Sequence, residues 1–135
     1  MPAEPRTILI AERDQHVRDL QQHFLTRAGF RVEFADDGQS ALERARSAKP
    51  ALVIAEILIP KMDGLTLCRR LRDDLQTRHI PVVIFSILAA AARAKEAGAH
   101  AFLRKPIVEA VFVAAVESAL SARSTVRQEQ QWNTA

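Results

Sequence analysis

Short apolar runs alternate with longer stretches in which apolar residues recur every three or four positions. The alternation predicts five strands, each followed by a helix. The second run alternates apolar and polar residues, as edge strands with one exposed face do, whereas the third and fourth are continuously apolar, as strands buried on both faces are. The predicted strands are Thr7–Ala11, Phe30–Phe34, Ala51–Ala55, Val82–Ser86 and Ala101–Pro106.

Local signals give the predicted helix boundaries. Asp14 is expected to cap the first helix and Gly29 to end it. The Asp63-Gly64 turn is expected to begin the third helix, and Gly98 to end an alanine-rich fourth helix. The last helix is predicted from Ile107 to about residue 122. The residues predicted to face the core are Leu65, Cys68, Leu71 and Leu75 in the third helix, and Val111, Ala115 and Val116 in the last.

Strands that alternate with helices imply right-handed crossovers and a parallel α/β sheet with helices on both faces. In such sheets, binding sites lie beyond the carboxyl ends of the strands. Acidic, hydroxyl and basic side chains are therefore expected to meet at one edge. The residues at the strand ends are Glu12, Arg13 and Asp14 after the first strand, Glu56 after the third, Ser86 ending the fourth, and Arg104 and Lys105 ending the fifth.

The length of 135 residues and the 48% hydrophobic content suit one domain with its own core. We expect this domain to span residues 7–122. Residues 1–6 are predicted to be disordered. The polar tail, residues 123–135, is expected to extend the last helix, fray or be disordered unless a partner buries Trp132.

Composition also narrows the location and the partners. A single cysteine cannot form an internal disulfide, which favours a reducing, cytoplasmic location. The longest uncharged apolar stretch has 13 residues, fewer than the roughly 18 that a membrane span requires. The net charge of +3 comes from basic residues scattered among acidic ones, so nucleic-acid binding is not expected. Four histidines lie on different elements and are expected at the surface, without a metal cluster: His16, His23, His79 and His100.

Four segments carry a family resemblance: "ILIAERD", "LVIAEILIPKMDG", "IPVVIFS" and "GAHAFLRKP". With them, the chain from about residue 7 to 120 resembles the receiver domain of two-component response regulators. The resemblance implies a flavodoxin-like fold with five parallel strands in the order 2-1-3-4-5. It also implies an acceptor carboxylate after the third strand, Mg²⁺ held by acidic groups, and a hydroxyl and a lysine that bind the phosphoryl oxygens.

The resemblance assigns these roles by position. Glu56 stands at the phosphoacceptor position, and Phe102 at that of an aromatic that moves with the switch hydroxyl. The pocket residues are Glu12, Arg13, Ser86 and Lys105. The interval from the hydroxyl to the lysine is about one helical turn shorter than usual, which leaves the length of the fourth helix open.

Two residues depart from the family pattern. Glu56 replaces the usual aspartate, so its carboxylate lies up to about 1.5 Å further out. Arg13 replaces an acid at a metal-ligating position, and a guanidinium cannot ligate a cation. We predict that Arg13 pairs with Glu56 while Lys105 contacts the same carboxylate. On this hypothesis Mg²⁺ binding is lost or weak, no other cofactor is needed, and Glu56 replaces part of the charge that phosphorylation would add.

The resulting hypothesis is a pseudo-receiver without enzymatic activity. It would act as a stand-alone module that binds a histidine kinase, a phosphotransfer protein or a downstream regulator. By resemblance, the partner surface runs from the fourth to the fifth helix, and it could also form a homodimer. One alternative is a phosphotransfer-competent receiver that accepts a phosphoryl group on Glu56. Another is a small flavodoxin-like ligand-binding protein or enzyme.

Each assigned residue also has a purely structural interpretation. Glu56 could form a salt bridge without a signalling role, and Ser86 could bond only the backbone. Lys105 could extend to solvent, and Phe102 could be an ordinary core ring.

Overall fold

The computed structural model describes residues 4–121, which form a parallel five-stranded sheet in the order β2-β1-β3-β4-β5. This order confirms the predicted flavodoxin-like arrangement. β2 is an edge strand with a partly exposed face, as its alternating pattern predicts. The strands are β1 (Thr7–Ala11), β2 (Arg31–Ala35), β3 (Leu52–Ala55), β4 (Val82–Ser86) and β5 (Ala101–Arg104).

Helices cover both faces of the sheet. Side chains of α1 and α5 pack with one face in one apolar cluster, and those of α2, α3 and α4 pack with the other face in a second cluster. A central strand therefore buries its side chains on both sides, which accounts for the continuous apolar runs. The helices are α1 (Gln15–Arg27), α2 (Gly38–Ala48), α3 (Gly64–Asp73), α4 (Ala91–Glu96) and α5 (Glu109–Ser121).

Aspartate caps begin three of the helices. Asp14 accepts a hydrogen bond from the amide of Val17 at 3.0 Å, which confirms its predicted role as a cap. Asp37 caps α2 and Asp63 caps α3 in the same way. α4 has only six residues and no side-chain cap, in agreement with the short interval noted in the sequence.

Two of the predicted core positions are wrong. Leu75 lies beyond the end of α3 and is 75% exposed. Val111 is 55% exposed, because the face of α5 that meets the sheet is set by Phe112 and Val116. Ala115 is half-buried at the edge of that face. The error at Val111 arises because α5 is apolar on nearly all sides, so its sequence does not identify a single buried face.

The predicted tail, including Trp132, and the first three residues lie outside the described part of the chain. Residues 4–6 are exposed and have no regular secondary structure. No helix within residues 4–121 has the length and apolarity that crossing a membrane requires.

His100 is buried, so its predicted surface location is wrong. Its Nδ1 accepts a hydrogen bond from the amide of Val82 at 3.3 Å, and its own amide donates to the carbonyl of the same residue at 2.7 Å. Burial, together with the charge of Arg72, lowers the pKa of His100 to about 4. The imidazole is therefore neutral near pH 7, with Nδ1 free to accept.

We predict that His100 makes the fold acid-sensitive. A depressed folded-state pKa stabilises the protein above the ordinary value of 6.5, and this contribution is lost as pH falls towards 4. In urea titrations from about pH 7 to pH 4, the wild type should lose about 3 kcal/mol more unfolding free energy than His100→Asn, which keeps an acceptor but does not titrate.

The matched control is His79→Asn, which removes an exposed histidine from the preceding loop. This variant should follow the wild-type pH dependence. Parallel curves for the wild type and His100→Asn would contradict the prediction.

Candidate functional site

Four of the predicted site residues meet at the carboxyl edge of the sheet. Glu12 follows β1, Glu56 follows β3, Ser86 ends β4 and Lys105 follows β5. Lys105 Nζ lies 2.8 Å from Glu12 Oε1 and 3.1 Å from Glu56 Oε1. Both carboxylates are buried, and the lysine side chain is only 16% exposed. One ammonium therefore joins two buried carboxylates, and the predicted contact between Lys105 and Glu56 is present.

The Glu56 carboxylate accepts hydrogen bonds at both oxygens. Oε1 faces the end of β4 and the lysine, and Oε2 faces the serine hydroxyl and the loop after β3. Apart from Lys105, the donors are the Ser86 hydroxyl and the amides of Ile57 at 2.5 Å, Leu58 at 3.3 Å and Ile87 at 3.2 Å. The Glu56 carboxylate is thus the anion that this group of protein donors binds.

These contacts keep both ends of the ion pair charged. Burial raises the pKa of Glu56, but hydrogen bonds from Ser86 and Lys105 and the charge of Lys105 outweigh it and lower the pKa below the ordinary 4.5. Burial lowers the pKa of Lys105, but bonds to Glu12 and Glu56 raise it above the ordinary 10.5.

The directions of these two pKa shifts give the pH range in which the ion pair is charged. The contribution of Glu56 is present above pH 4.5 and is lost as pH falls through its folded-state pKa. That of Lys105 is present below pH 10.5 and is lost as pH rises through its folded-state pKa. Both groups therefore stay charged, and the ion pair stays intact, throughout the neutral range.

The loop after β1 is held by an arginine that the sequence analysis did not single out. Arg18 donates to the carbonyls of Glu12 and Ala35 and to the carboxylate of Asp36. The remaining oxygen of Glu12, Oε2, accepts from the amide of Asp14 at 3.1 Å. The guanidinium thus links the ends of β1 and β2. One arginine on the polar side of α1 gives no distinguishing sequence signal.

Arg13 does not enter the pocket. Its side chain is exposed, and within residues 4–121 no ion pair joins it to Glu56, so the predicted pair is wrong. Consecutive side chains of an extended segment point in opposite directions, so the burial of Glu12 turns Arg13 outward. Among residues 4–121, Lys105 supplies the positive charge that pairs with Glu56.

Ser86 is fully buried and uses its hydroxyl twice. It donates to Glu56 and accepts from the amide of Leu88 at 3.2 Å, so the alternative that it bonds only the backbone is wrong. Phe102 is half-buried and packs beside the apolar cluster under α2, α3 and α4. Its role as a moving aromatic stays a prediction.

A glycine allows the loop after β3 to pack closely. The Gly64 amide donates to the carbonyl of Ile57 at 2.9 Å. A Cβ at this position would lie 2.3 Å from the carbonyl oxygen of Glu56. The sequence indicated a turn here, and the structure adds that any larger side chain would displace the backbone that carries the carboxylate.

Comparison with known proteins agrees with this geometry. A family model described as the response regulator receiver domain matches residues 8–117. The chain is 37% identical over 116 residues to Response regulator PleD of Caulobacter vibrioides, covering 84% of this chain and 25% of PleD. It is 36% identical over 121 residues to the transcriptional regulatory protein CseB of Streptomyces avermitilis, covering 87% of this chain and 50% of CseB.

A crystal structure of a putative response regulator from Chloroflexus aurantiacus matches with a TM-score of 0.83 and 32% identity. The match covers 87% of this chain and 98% of that structure. The chain thus spans a quarter of PleD and half of CseB, but nearly all of the chain in this crystal structure.

We predict that Lys105→Met destabilises the fold by about 3 kcal/mol near pH 7, because it leaves two buried carboxylates without their cation. The loss should shrink as pH falls, since protonation then removes the unpaired charge. Urea unfolding at about pH 7 and pH 5 measures both effects.

Lys95→Met is the matched control, because Lys95 is exposed on α4 and makes no ion pair with any residue from 4 to 121. It should change stability by less than about 0.5 kcal/mol. A Lys105→Met protein as stable as the wild type at pH 7 would show that the carboxylates do not depend on the lysine.

Proposed function

The chain belongs to the response regulator receiver family of two-component signalling, and from this premise we propose that it is a phosphorylation-independent protein-interaction module. One observation carries the proposal: the Glu56 carboxylate itself holds the Ser86 hydroxyl and the Lys105 ammonium. In the family these two groups bind the phosphoryl oxygens. Glu56 therefore makes part of the phosphorylated-state contacts permanently, and the module needs no catalytic step of its own.

The Glu56 carboxylate replaces a phosphoryl group only in part. A carboxylate contributes one negative charge and two oxygens, whereas a phosphoryl group contributes about 1.5 to 2 charges and three oxygens. In this structure the Ser86 hydroxyl already points to the anion at position 56. The proposed module thus keeps the inward orientation of the hydroxyl without the full charge of an acyl phosphate.

The donor set does not fit the Mg²⁺ that the family uses. Mg²⁺ requires near-octahedral oxygen ligands. The four carboxylate oxygens of Glu12 and Glu56 already contact the lysine or accept protein hydrogen bonds. Arg13 provides no oxygen in place of the second acid, and within residues 4–121 no three acidic, histidine or cysteine side chains are placed to hold a metal. These features support loss or weakening of Mg²⁺ binding.

Partners follow from the family. We propose a histidine kinase, a phosphotransfer protein or a downstream regulator, bound through the α4–α5 surface, which could also pair two copies of the chain. Exposed apolar side chains at the borders of this surface support the proposal: Ile87, Val108 and Val111 are each more than half exposed. Action as a stand-alone module and a cytoplasmic location stay predictions.

We predict that the purified chain, incubated with acetyl phosphate, gains no phosphoryl mass with or without Mg²⁺. The reason is that both Glu56 oxygens are already held by protein donors, so neither is placed to attack the phosphodonor. Intact-mass spectrometry measures the gain. A Mg²⁺-dependent gain that maps to Glu56 would instead establish the phosphotransfer-competent alternative.

The matched variant is Arg13→Asp combined with Glu56→Asp, which restores the usual acids at both positions. It should bind Mg²⁺ in a calorimetric titration and gain phosphoryl mass under the same conditions. A receiver domain with the usual aspartate acceptor serves as the positive control. Its gain of phosphoryl mass shows that the acetyl phosphate is active.

A further inference from the structure

A second surface, away from the Glu56 pocket, concentrates positive charge. It extends over the last turn of α2, the exposed side of α3 and the loop that follows, and we call it the α2–α3 basic face. Six basic and two acidic side chains give it a formal charge of +4, whereas the whole chain carries +3. The rest of the molecule is therefore slightly negative. The charged residues of the face are Arg46, Lys49, Arg69, Arg70, Arg72, Asp73, Asp74 and Arg78.

Direct contacts hold this face together. The end of α2 contacts the end of α3 and the following loop, and α3 contacts the same loop further on. The contacts are Arg46 Nε to Asp74 Oδ2 at 2.7 Å, Lys49 Nζ to the Gln76 carbonyl at 3.4 Å, and Arg72 Nη1 to the Arg78 carbonyl at 2.8 Å. The positive charges thus belong to one continuous surface.

A cleft of about 450 Å³ lies within the face. Arg69 and Arg70 line it and make no ion pair with any side chain in the described range. The neighbouring Arg46 uses Nε for Asp74, so its two terminal nitrogens have no such partner there. The cleft therefore presents guanidinium donors that the fold itself does not use.

The helix dipole accounts for only part of this charge. Basic residues in the last turn of a helix stabilise it, which explains Arg46, Arg70 and Arg72. It does not explain Arg78, which lies in the loop beyond α3. Nor does it explain the neighbouring Leu75, whose side chain is 75% exposed. Leu75 follows Asp74, which lines the cleft, and so offers an exposed apolar side chain next to the unpaired arginines.

We propose that the α2–α3 basic face binds an acidic, leucine-containing segment of a partner protein. Five of its six cations are arginines, whose planar guanidinium binds carboxylates through two parallel hydrogen bonds. Asp73 and Asp74 line the same cleft, so a ligand must keep its negative charges away from them. A nucleic-acid backbone is charged at every phosphate, whereas a peptide can place uncharged residues opposite the two aspartates. A peptide can place its carboxylates on the arginines and an apolar side chain on Leu75. No residue of this face belongs to the Glu56 pocket, so the proposal does not depend on the proposed function.

The test uses the full chain and a fluorescein-labelled peptide of repeated Glu-Leu-Asp-Glu units, followed by fluorescence anisotropy. We expect saturable binding that weakens as NaCl rises from about 50 to 300 mM. Arg69→Gln combined with Arg70→Gln should weaken it about tenfold, and Leu75→Ser should weaken it several-fold. Amide chemical-shift changes in the wild-type chain should be confined to α2, α3 and the loop after α3, a readout that needs no variant.

The matched control, Arg31→Gln with Arg93→Gln, removes the same charge from exposed positions on β2 and α4. It should leave the affinity within about twofold of wild type. An equal loss of affinity in both double variants would show that binding depends only on the overall charge of the chain, and this would overturn the proposal. The absence of saturable binding would also overturn it. Tighter, arginine-dependent binding of a single-stranded oligonucleotide of equal charge would overturn it in favour of nucleic acid.

Discussion

The ammonium of Lys105 lies between two buried carboxylates, and the geometry of the whole pocket depends on this contact. In the sheet order β2-β1-β3-β4-β5, the lysine reaches from β5 past the end of β4 to residues that follow β3 and β1. It therefore connects three of the five strand ends through side chains. Buried ion pairs contribute little net stability because desolvation offsets their attraction. The contact fixes a specific arrangement more than it strengthens the fold.

A single ammonium does not balance two carboxylates, so backbone donors supply the remaining stabilisation. The amides of Ile57, Leu58 and Ile87 bind Glu56, and that of Asp14 binds Glu12. These donors belong to the loops after β1, β3 and β4. The loops and the carboxylates consequently depend on each other: the loops must be folded to bind the charge, and the charge organises the loops. Arg18 and Gly64 support this arrangement from outside the pocket.

Periodicity and strand-end position predict most of this architecture. Parallel strands place their carboxyl ends at one edge, so strand-end position alone groups Glu12, Glu56, Ser86 and Lys105. This pattern does not encode the orientation of a side chain beyond a strand end, so it does not show that Arg13 points away from the pocket. The burial of His100 and the exposure of Leu75 likewise depend on tertiary packing and on where α3 ends, which a local pattern does not determine.

The length of the acid at position 56 connects these features. The carboxylate of Glu56 reaches both the amides of its own loop and the hydroxyl and amide at the end of β4. An aspartate, shorter by up to about 1.5 Å, would leave part of this space to a cation or a phosphoryl group. In the proposed module the longer acid fills that space itself. A second acid after β1 is then unnecessary, because that acid would add negative charge to the pocket with no metal ion to neutralise the charge. On this proposal, the glutamate at position 56 and the arginine at position 13, which lies outside the pocket, belong to one change.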